Sequence, residues 1–239
     1  MLKKFIVIAV ILIMSASAFA AEEVTVAAGA GYRKLVTEMA AYCEQKEGIK
    51  VNMSFGNLGQ VIAQVRASGL IPVVIGDKNF FTRAKLEIAD FQPIGKGKLV
   101  LAWKKGLDIK SVDEITSDKI KRIAIPNTEK AIYGIAGTEY LKNSGLADKV
   151  KDKLMVVATV PQVNSYVATG EVDAGFSNLT DTMGIADKIG GYIEINEGYT
   201  EIPIVAGFLK GNENDSAVAK LKSCLADSKS AEIAKKHGL

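Results

Sequence analysis

The feature that most constrains this chain is the alternation of short apolar runs with amphipathic segments. "EVTVAA", "IPVVIG", "KRIAIP" and "KLMVVATV" are continuous apolar stretches of strand length. Between them lie segments with helical spacing, such as "YRKLVTEMAAYCEQ" and "LGQVIAQVRAS". Apolar runs separated by helices indicate buried strands with helices packed on both faces. The fold class is therefore α/β. The run to Trp103 predicts a first sheet of about four strands, and Lys121 to Asn196 a second. "GLDIKSVDEITSD" joins them as a polar connector, and "EIPIVAGFLK" returns the chain to the first sheet. The expected architecture is a two-lobed clamshell with mixed sheets flanked by helices. Residues 21–103 plus 204–239 form lobe I, residues 104–203 form lobe II, and a ligand cleft lies between them.

The first twenty residues have a different character. Lys3 and Lys4 precede an apolar run from Phe5 to Met14, and "SASAFA" follows with Ala18 and Ala20 in A-x-A positions. That pattern is a secretory signal peptide spanning residues 1–20, cleaved after Ala20. It predicts a periplasmic protein, with no cysteine after the cleavage site to carry a lipid. Removing Lys3 and Lys4 takes the formal charge from +3 to about +1. The sequence contains no basic block, so no nucleic-acid partner is expected. Cys43 and Cys224 each lie on an apolar helical face. They read either as two buried small hydrophobes or as a disulfide pinning the first helix to the last. With one histidine, His237, the chain offers no metal-ligand spacing.

Several strand-to-helix junctions carry the functional signal. In "VAAGAGYRKL", Gly29 and Gly31 follow a strand and precede a helix. The third glycine of a dinucleotide fingerprint is replaced by Lys34, and no G-K-[ST] follows. What remains is free backbone N–H groups at a helix start, which is an anion site in its own right, or a plain tight turn. In "SFGNLGQ", Asn57 and Gln60 have the spacing of a capping box. "IPNTEKAIYG", "VPQVNS" and "FSNLTD" supply comparable junctions in the second lobe. Gathered at a cleft, such junctions would hold a small oxyanion without a counter-charge. Tyr32 and Tyr133 read as cleft-lining or rim residues, and Trp103 as packing near the crossover. Asp77 and Lys78 read as a surface pair. A hydrolytic group of Ser54, Ser177 and Asp181 lacks a histidine partner and a G-x-S-x-G elbow, so no catalysis is expected.

At these residues the sequence resembles the periplasmic molybdate-binding proteins of ABC importers, as a divergent member. The resemblance runs through "VTVAAGAGYRKL", "SFGNLG", "KLVLAW", "YGIAGTEYL", "VATGEVDAG", "SNLTDT" and "SKSAEIAKKHGL". It implies a type II solute-binding fold, a tetrahedral oxyanion such as molybdate or tungstate held by neutral hydrogen bonds, and no cofactor. It also implies an inner-membrane permease as partner and a monomeric state. The ligand positions carried over are Ala30, Gly31 and Tyr32 in the first loop, Asn57 and Leu58 in the second, then Tyr133, Val160 and Asn178. The family's first-loop serine falls at Gly31, its serine pair at Asn57 and Leu58, and its tyrosine at Asn178. The family's P-A-D-V-F segment is replaced by "LIPVVIG". Amides thus stand where hydroxyls are expected, and Arg33 is a candidate charge partner. These departures motivate the alternatives of a receptor for a carboxylate or phosphonate, or a sensory binding module that does not transport.

Overall fold

The structure is a computed structural model that describes residues 21–239. The signal peptide expected at 1–20 lies outside the described residues. The chain begins with β1 (Glu22–Gly29), α1 (Arg33–Glu47), β2 (Ile49–Gly56), α2 (Leu58–Ser68), β3 (Val73–Asp77), α3 (Lys78–Arg83) and β4 (Ile88–Gly97). It continues through β5 (Leu99–Trp103), β6 (Ile123–Pro126), α4 (Ile132–Asn143), α5 (Ala147–Val150), β7 (Leu154–Val157) and α6 (Val160–Thr169). The remainder is β8 (Ala174–Asn178), α7 (Leu179–Met183), β9 (Gly191–Ile195), β10 (Ile202–Leu209), α8 (Ser216–Leu225) and α9 (Ser228–Lys236). One five-stranded sheet has the order β2-β1-β3-β10-β4 and the other β7-β6-β8-β5-β9. Strands of the βα units run parallel, whereas β10 and β5 each pair antiparallel with both of their neighbours.

Two sequence expectations change here. β5 pairs with β8 and β9, so "LVLAW" belongs to the second sheet and not to the first. The first crossing is therefore at Lys98, five residues before the boundary expected at Trp103. The first sheet gains β4 instead, a strand the apolar pattern does not reveal. Its residues are mostly half-buried or exposed, and it includes Pro93 and Lys96. Such composition is how a sheet edge is protected from further pairing. Trp103 consequently lies at the far end of β5, against Gly190 and Gly191, away from the crossover.

The second crossing runs from β9 to β10, through Tyr199. The Leu99 N–H donates to the Tyr199 hydroxyl at 3.1 Å, which ties the two crossings together. A clamshell joined by two such short segments bends where the chain is thinnest, at Lys98 and between Ile195 and Ile202.

The first lobe is closed by the C-terminal helices. α1 turns Leu35, Val36, Met39, Ala40 and Cys43 inward, an i, i+1, i+4, i+5, i+8 stripe. It stops at Gly48, whose φ of 66° only glycine adopts freely. α8 answers with Ala217, Val218, Leu221, Cys224 and Leu225. Each Leu or Val so buried stabilises the lobe by roughly 1.5–3 kcal/mol. Cys43 and Cys224 form a disulfide between these helices. Asp227, which caps α9, also accepts from Tyr42 and Lys46 of α1. Both bonded groups belong to one lobe, so the covalent link does not restrain the hinge.

In the chain-entropy account a loop this long is worth at most about 5 kcal/mol. Replacing both cysteines (Cys43→Ser with Cys224→Ser) should lower the midpoint of urea denaturation, corresponding to a loss of about 2–5 kcal/mol of stability. Ligand affinity measured well below that midpoint should be unchanged. A stability loss under about 1 kcal/mol would show that α1–α8 packing alone closes the lobe.

Candidate functional site

Each helix that faces the cleft begins directly after a strand or a short loop. Gly29 leads through a single 3₁₀ turn, Ala30–Tyr32, into α1. Asn57 caps α2 with a complete capping box. Its Oδ1 accepts from the Gln60 N–H at 3.0 Å, and Gln60 Oε1 accepts from the Asn57 N–H at 2.9 Å. α4 starts after Ala131, α6 starts after Thr159 with Pro161 in its first turn, and Asn178 caps α7. The first N–H groups of any helix have no acceptor within that helix. In α2, Gln60 N–H is taken by the cap and Gly59 N–H by the Lys130 carbonyl at 3.0 Å, which leaves Leu58 at the first position. Ile132 and Tyr133 hold the corresponding positions in α4, and Val160 in α6.

These positions meet. Ala30, Gly31, Tyr32, Asn57, Leu58, Tyr133 and Val160, all expected from the sequence, line one cavity between the lobes. Gly29, Gly56, Ala131, Ile132 and Thr159 complete its wall. The space open to the centre of an oxygen-sized atom is about 20 Å3. A sphere of that volume has a radius of about 1.7 Å, enough for the oxygens of one tetrahedral anion and far too small for a nucleotide. No charged side chain is part of the wall. The chemistry on offer is backbone N–H groups at the positive ends of several helices, within an apolar surround.

Two expectations about the site are corrected. Arg33 is exposed, and its guanidinium stacks 4.1 Å from the centre of the Phe55 ring. It is a surface cation–π partner and not a charge partner for the cavity. Asn178 is fully buried but is not part of the cavity wall. Its Oδ1 accepts from the Asp181 N–H at 3.0 Å, and its Nδ2 donates to the Gly31 carbonyl at 3.0 Å. It therefore joins α7 of one lobe to the first loop of the other. A Cβ on Gly31 would lie 2.9 Å from that Nδ2 and 3.2 Å from Val160, so no side chain fits there.

Tyr32 and Tyr133 reach across the cleft from opposite lobes, and their hydroxyls meet at 2.5 Å. Burial pushes both hydroxyls well above the ordinary tyrosine range. For Tyr32, hydrogen bonds from Tyr133 and Asn178 oppose that rise without cancelling it. Both rings thus stay protonated at neutral pH. Gly97 at the end of β4 makes this contact feasible, because a Cβ there would overlap the Tyr133 hydroxyl and lie 2.8 Å from that of Tyr32. Gly97 and Tyr199 escape sequence analysis, since their importance comes from lying at the two crossings.

Other candidates resolve simply. Asp77 is buried, not a surface partner of Lys78. It caps α3 by accepting from the Asn79 and Phe80 N–H groups, and burial raises its carboxyl despite those bonds. Ser54 donates to Gln64, Thr182 donates to Ser177, and Asn164 donates to Asp181, so each of these three side chains is bonded to a residue outside the imagined hydrolytic group. His237 contacts Glu38 of α1 at 2.8 Å. Among the described residues no group of three His, Cys, Asp or Glu side chains is placed to hold a metal ion.

Comparison with known proteins agrees with this geometry. Residues 24–239 match the family described as bacterial extracellular solute-binding protein, and the chain belongs to it. The molybdate-binding protein ModA of Azotobacter vinelandii is 30% identical over 234 residues, covering 93% of this chain and 92% of that protein. The corresponding protein of Rhodobacter capsulatus is 26% identical, covering 92% and 88%. The solved periplasmic molybdate-binding protein of Azotobacter vinelandii superposes with a TM-score of 0.80 at 25% identity, covering 90% of this chain and 97% of that one. L-phospholactate-bound PEB3 shares the fold, with a TM-score of 0.72 at 16% identity over 90% and 98% of the chains. The two-lobed architecture and the family resemblance read from the sequence are thereby supported.

Gly97→Ala should force the two tyrosines apart and cost about 1–3 kcal/mol in the closed state. The measurement is ligand affinity by calorimetry together with thermal stability. Affinity should fall more than stability, because the closer clash, with the Tyr133 hydroxyl of the facing lobe, exists only when the lobes meet, whereas that with Tyr32 lies within lobe I.

Proposed function

We propose that this chain is the periplasmic binding component of an ABC importer and that it takes a tetrahedral oxyanion of the molybdate and tungstate kind. The observation that carries the reading is the cavity itself. Its open space is on the scale of the oxygen centres of one such anion, it has no charged wall, and its lining residues include the first positions of α2, α4 and α6. Dianions suit such a site, since each N–H can only donate. A carboxylate in the wall would repel the anion, and a cation would favour any anion regardless of shape. The relatives' names point the same way. The 1–20 segment would direct export, and no helix among the described residues is long and apolar enough to cross a membrane. The binding residues proposed are Ala30, Gly31, Tyr32, Leu58, Tyr133 and Val160. No cofactor is required, a monomer suffices, and the closed rim would dock on a membrane permease.

The reading as a receptor for an organic carboxylate or phosphonate loses the features that motivated it. Arg33 faces outward, and the Asn57 and Asn178 amides are engaged by backbone carbonyls.

Calorimetry and thermal shift with molybdate, tungstate, sulfate and small phosphonates test the proposal. Molybdate or tungstate should bind and raise the melting temperature, and the phosphonates should not. Affinity should be flat between about pH 7 and 9, because the tyrosines lining the cavity are shifted upward, out of that window. It should also depend only weakly on salt, the site being buried and without charged side chains. Silence with every tetrahedral oxyanion would remove this ligand class.

A further inference from the structure

The asparagines at 57 and 178 stand at equivalent places, one in each lobe. Each is the cap of a helix that begins at the cleft, Asn57 of α2 and Asn178 of α7. Each points its Oδ1 at its own helix, toward the N–H of Gln60 or of Asp181. That bond fixes the amide's orientation, because the oxygen must face the N–H group. The NH2 group is thereby aimed outward across the cleft. Asn57 Nδ2 donates to the Ala158 carbonyl at 3.2 Å, and Asn178 Nδ2 to the Gly31 carbonyl at 3.0 Å. The two bonds run in opposite directions, one from each lobe to the facing loop. Gly59 N–H to the Lys130 carbonyl, at 3.0 Å, adds a third of the same kind.

The accepting carbonyls are not arbitrary. Gly31 itself lines the cavity, and Ala158 immediately precedes Thr159, which also does. A loop that offers N–H groups to an anion carries an equal number of carbonyl oxygens, and an anion is repelled by those. Peptide planes are rigid, so holding a carbonyl also fixes the N–H on the other side of the same plane. Aspartate would cap either helix as well as asparagine does, but it cannot donate across the cleft.

We propose that Asn57 and Asn178 are positioning residues that clasp the lobes, each holding a carbonyl of the facing loop away from the anion so that closure completes the donor-only lining. This rests on reading the cavity as an anion site. It assigns Asn178, at the position of the family's ligand tyrosine, to the lobes instead of the ligand. Closure and anion selectivity then become one event, because the carbonyls are held only when the lobes meet.

The test uses the full mature protein and the variants Asn57→Asp and Asn178→Asp, which keep the helix cap and lose the donor. Small-angle scattering without added anion reads the closure equilibrium, and stopped-flow release of tungstate reads the lifetime of the complex. Each variant should shift scattering toward a more open form. Each should also release tungstate about tenfold faster or more, the loss expected for one buried hydrogen bond whose acceptor is left unpaired. Acidification that protonates the new carboxyl restores an O–H donor, so release from the Asp variants should slow as pH falls. A purely structural defect would not recover in that way. Because Asn57 lines the cavity, a carboxylate there also repels tungstate directly, so for Asn57→Asp the scattering without anion is the readout that decides the clasp.

Wild-type scattering and wild-type release rates in both variants would overturn the clasp. Should Asn178→Asp fail to fold, the anion-free scattering of Asn57→Asp decides alone, since Asn57 keeps 8 % exposure where Asn178 has none. Should the wild-type protein bind no oxyanion while the variants still open, the ligand reading fails and the clasp stands.

Discussion

A helix cannot satisfy its own first N–H groups, and this protein brings several such beginnings to one point. Loops that lead out of strands in both lobes end there. Each contributes donors that would otherwise face water. One helix N-terminus is a weak attraction, worth about 0.3–1 kcal/mol when exposed and up to about 2 when partly buried. Several of them face one cavity of about 20 Å3 whose wall holds no charged side chain. The apolar remainder of the wall, Leu58, Ile132 and Val160 among it, excludes water and sharpens the effect. Strand order, loop length and the two-lobed plan all serve this arrangement. The parallel βα units put the helix starts at the carboxyl ends of the strands, and the clamshell turns the two sets of ends toward each other.

The hinge determines whether those ends meet. The first crossing is a single residue, Lys98, between β4 and β5. Beside it Gly97 leaves room for the Tyr32 and Tyr133 hydroxyls, which close the floor of the cleft from both sides. Lys34 of α1 adds a bond at the rim, donating to the Gly184 carbonyl at the end of α7 at 2.7 Å. The disulfide and the Asp227 cluster, by contrast, lie within lobe I. Rigidity is thus placed inside a lobe. The interface between lobes relies on hydrogen bonds, each small enough to break in a cycle of opening.

Much of this was legible in the sequence because it follows from local rules. The βα alternation gave the class, and the Asn57–Gln60 spacing gave a cap that the structure contains atom for atom. Glycine-rich junctions located most of the cavity wall. What stayed hidden depended on contacts between distant segments. β4 has too few buried residues to stand out, and its identity as a strand comes from pairing with β10. β5 has an apolar run that fits either sheet, and only its partners β8 and β9 decide between them. Arg33 lies beside the right loop, but nothing local fixes the side of the helix to which it points. Phe55 on β2 decides that. Ile132 belongs to a helix whose beginning was recognised, and its place in the wall follows from helix geometry once Tyr133 is placed.

The departures from the family pattern at 31 and 178 looked independent in the sequence, a serine lost in one loop and a tyrosine lost in another. In space they are a single change. With asparagine at 178 the amide lies where a side chain on residue 31 would project, 2.9 Å from a Cβ there. Glycine at 31 is what lets the amide reach the backbone carbonyl of that same residue. The pair present here bonds one lobe to the other, and under the proposed reading it leaves anion recognition to the main chain. Loss of side-chain ligands therefore does not imply loss of an anion site. It transfers the work from groups that can rotate to peptide planes that cannot, provided something holds those planes in register.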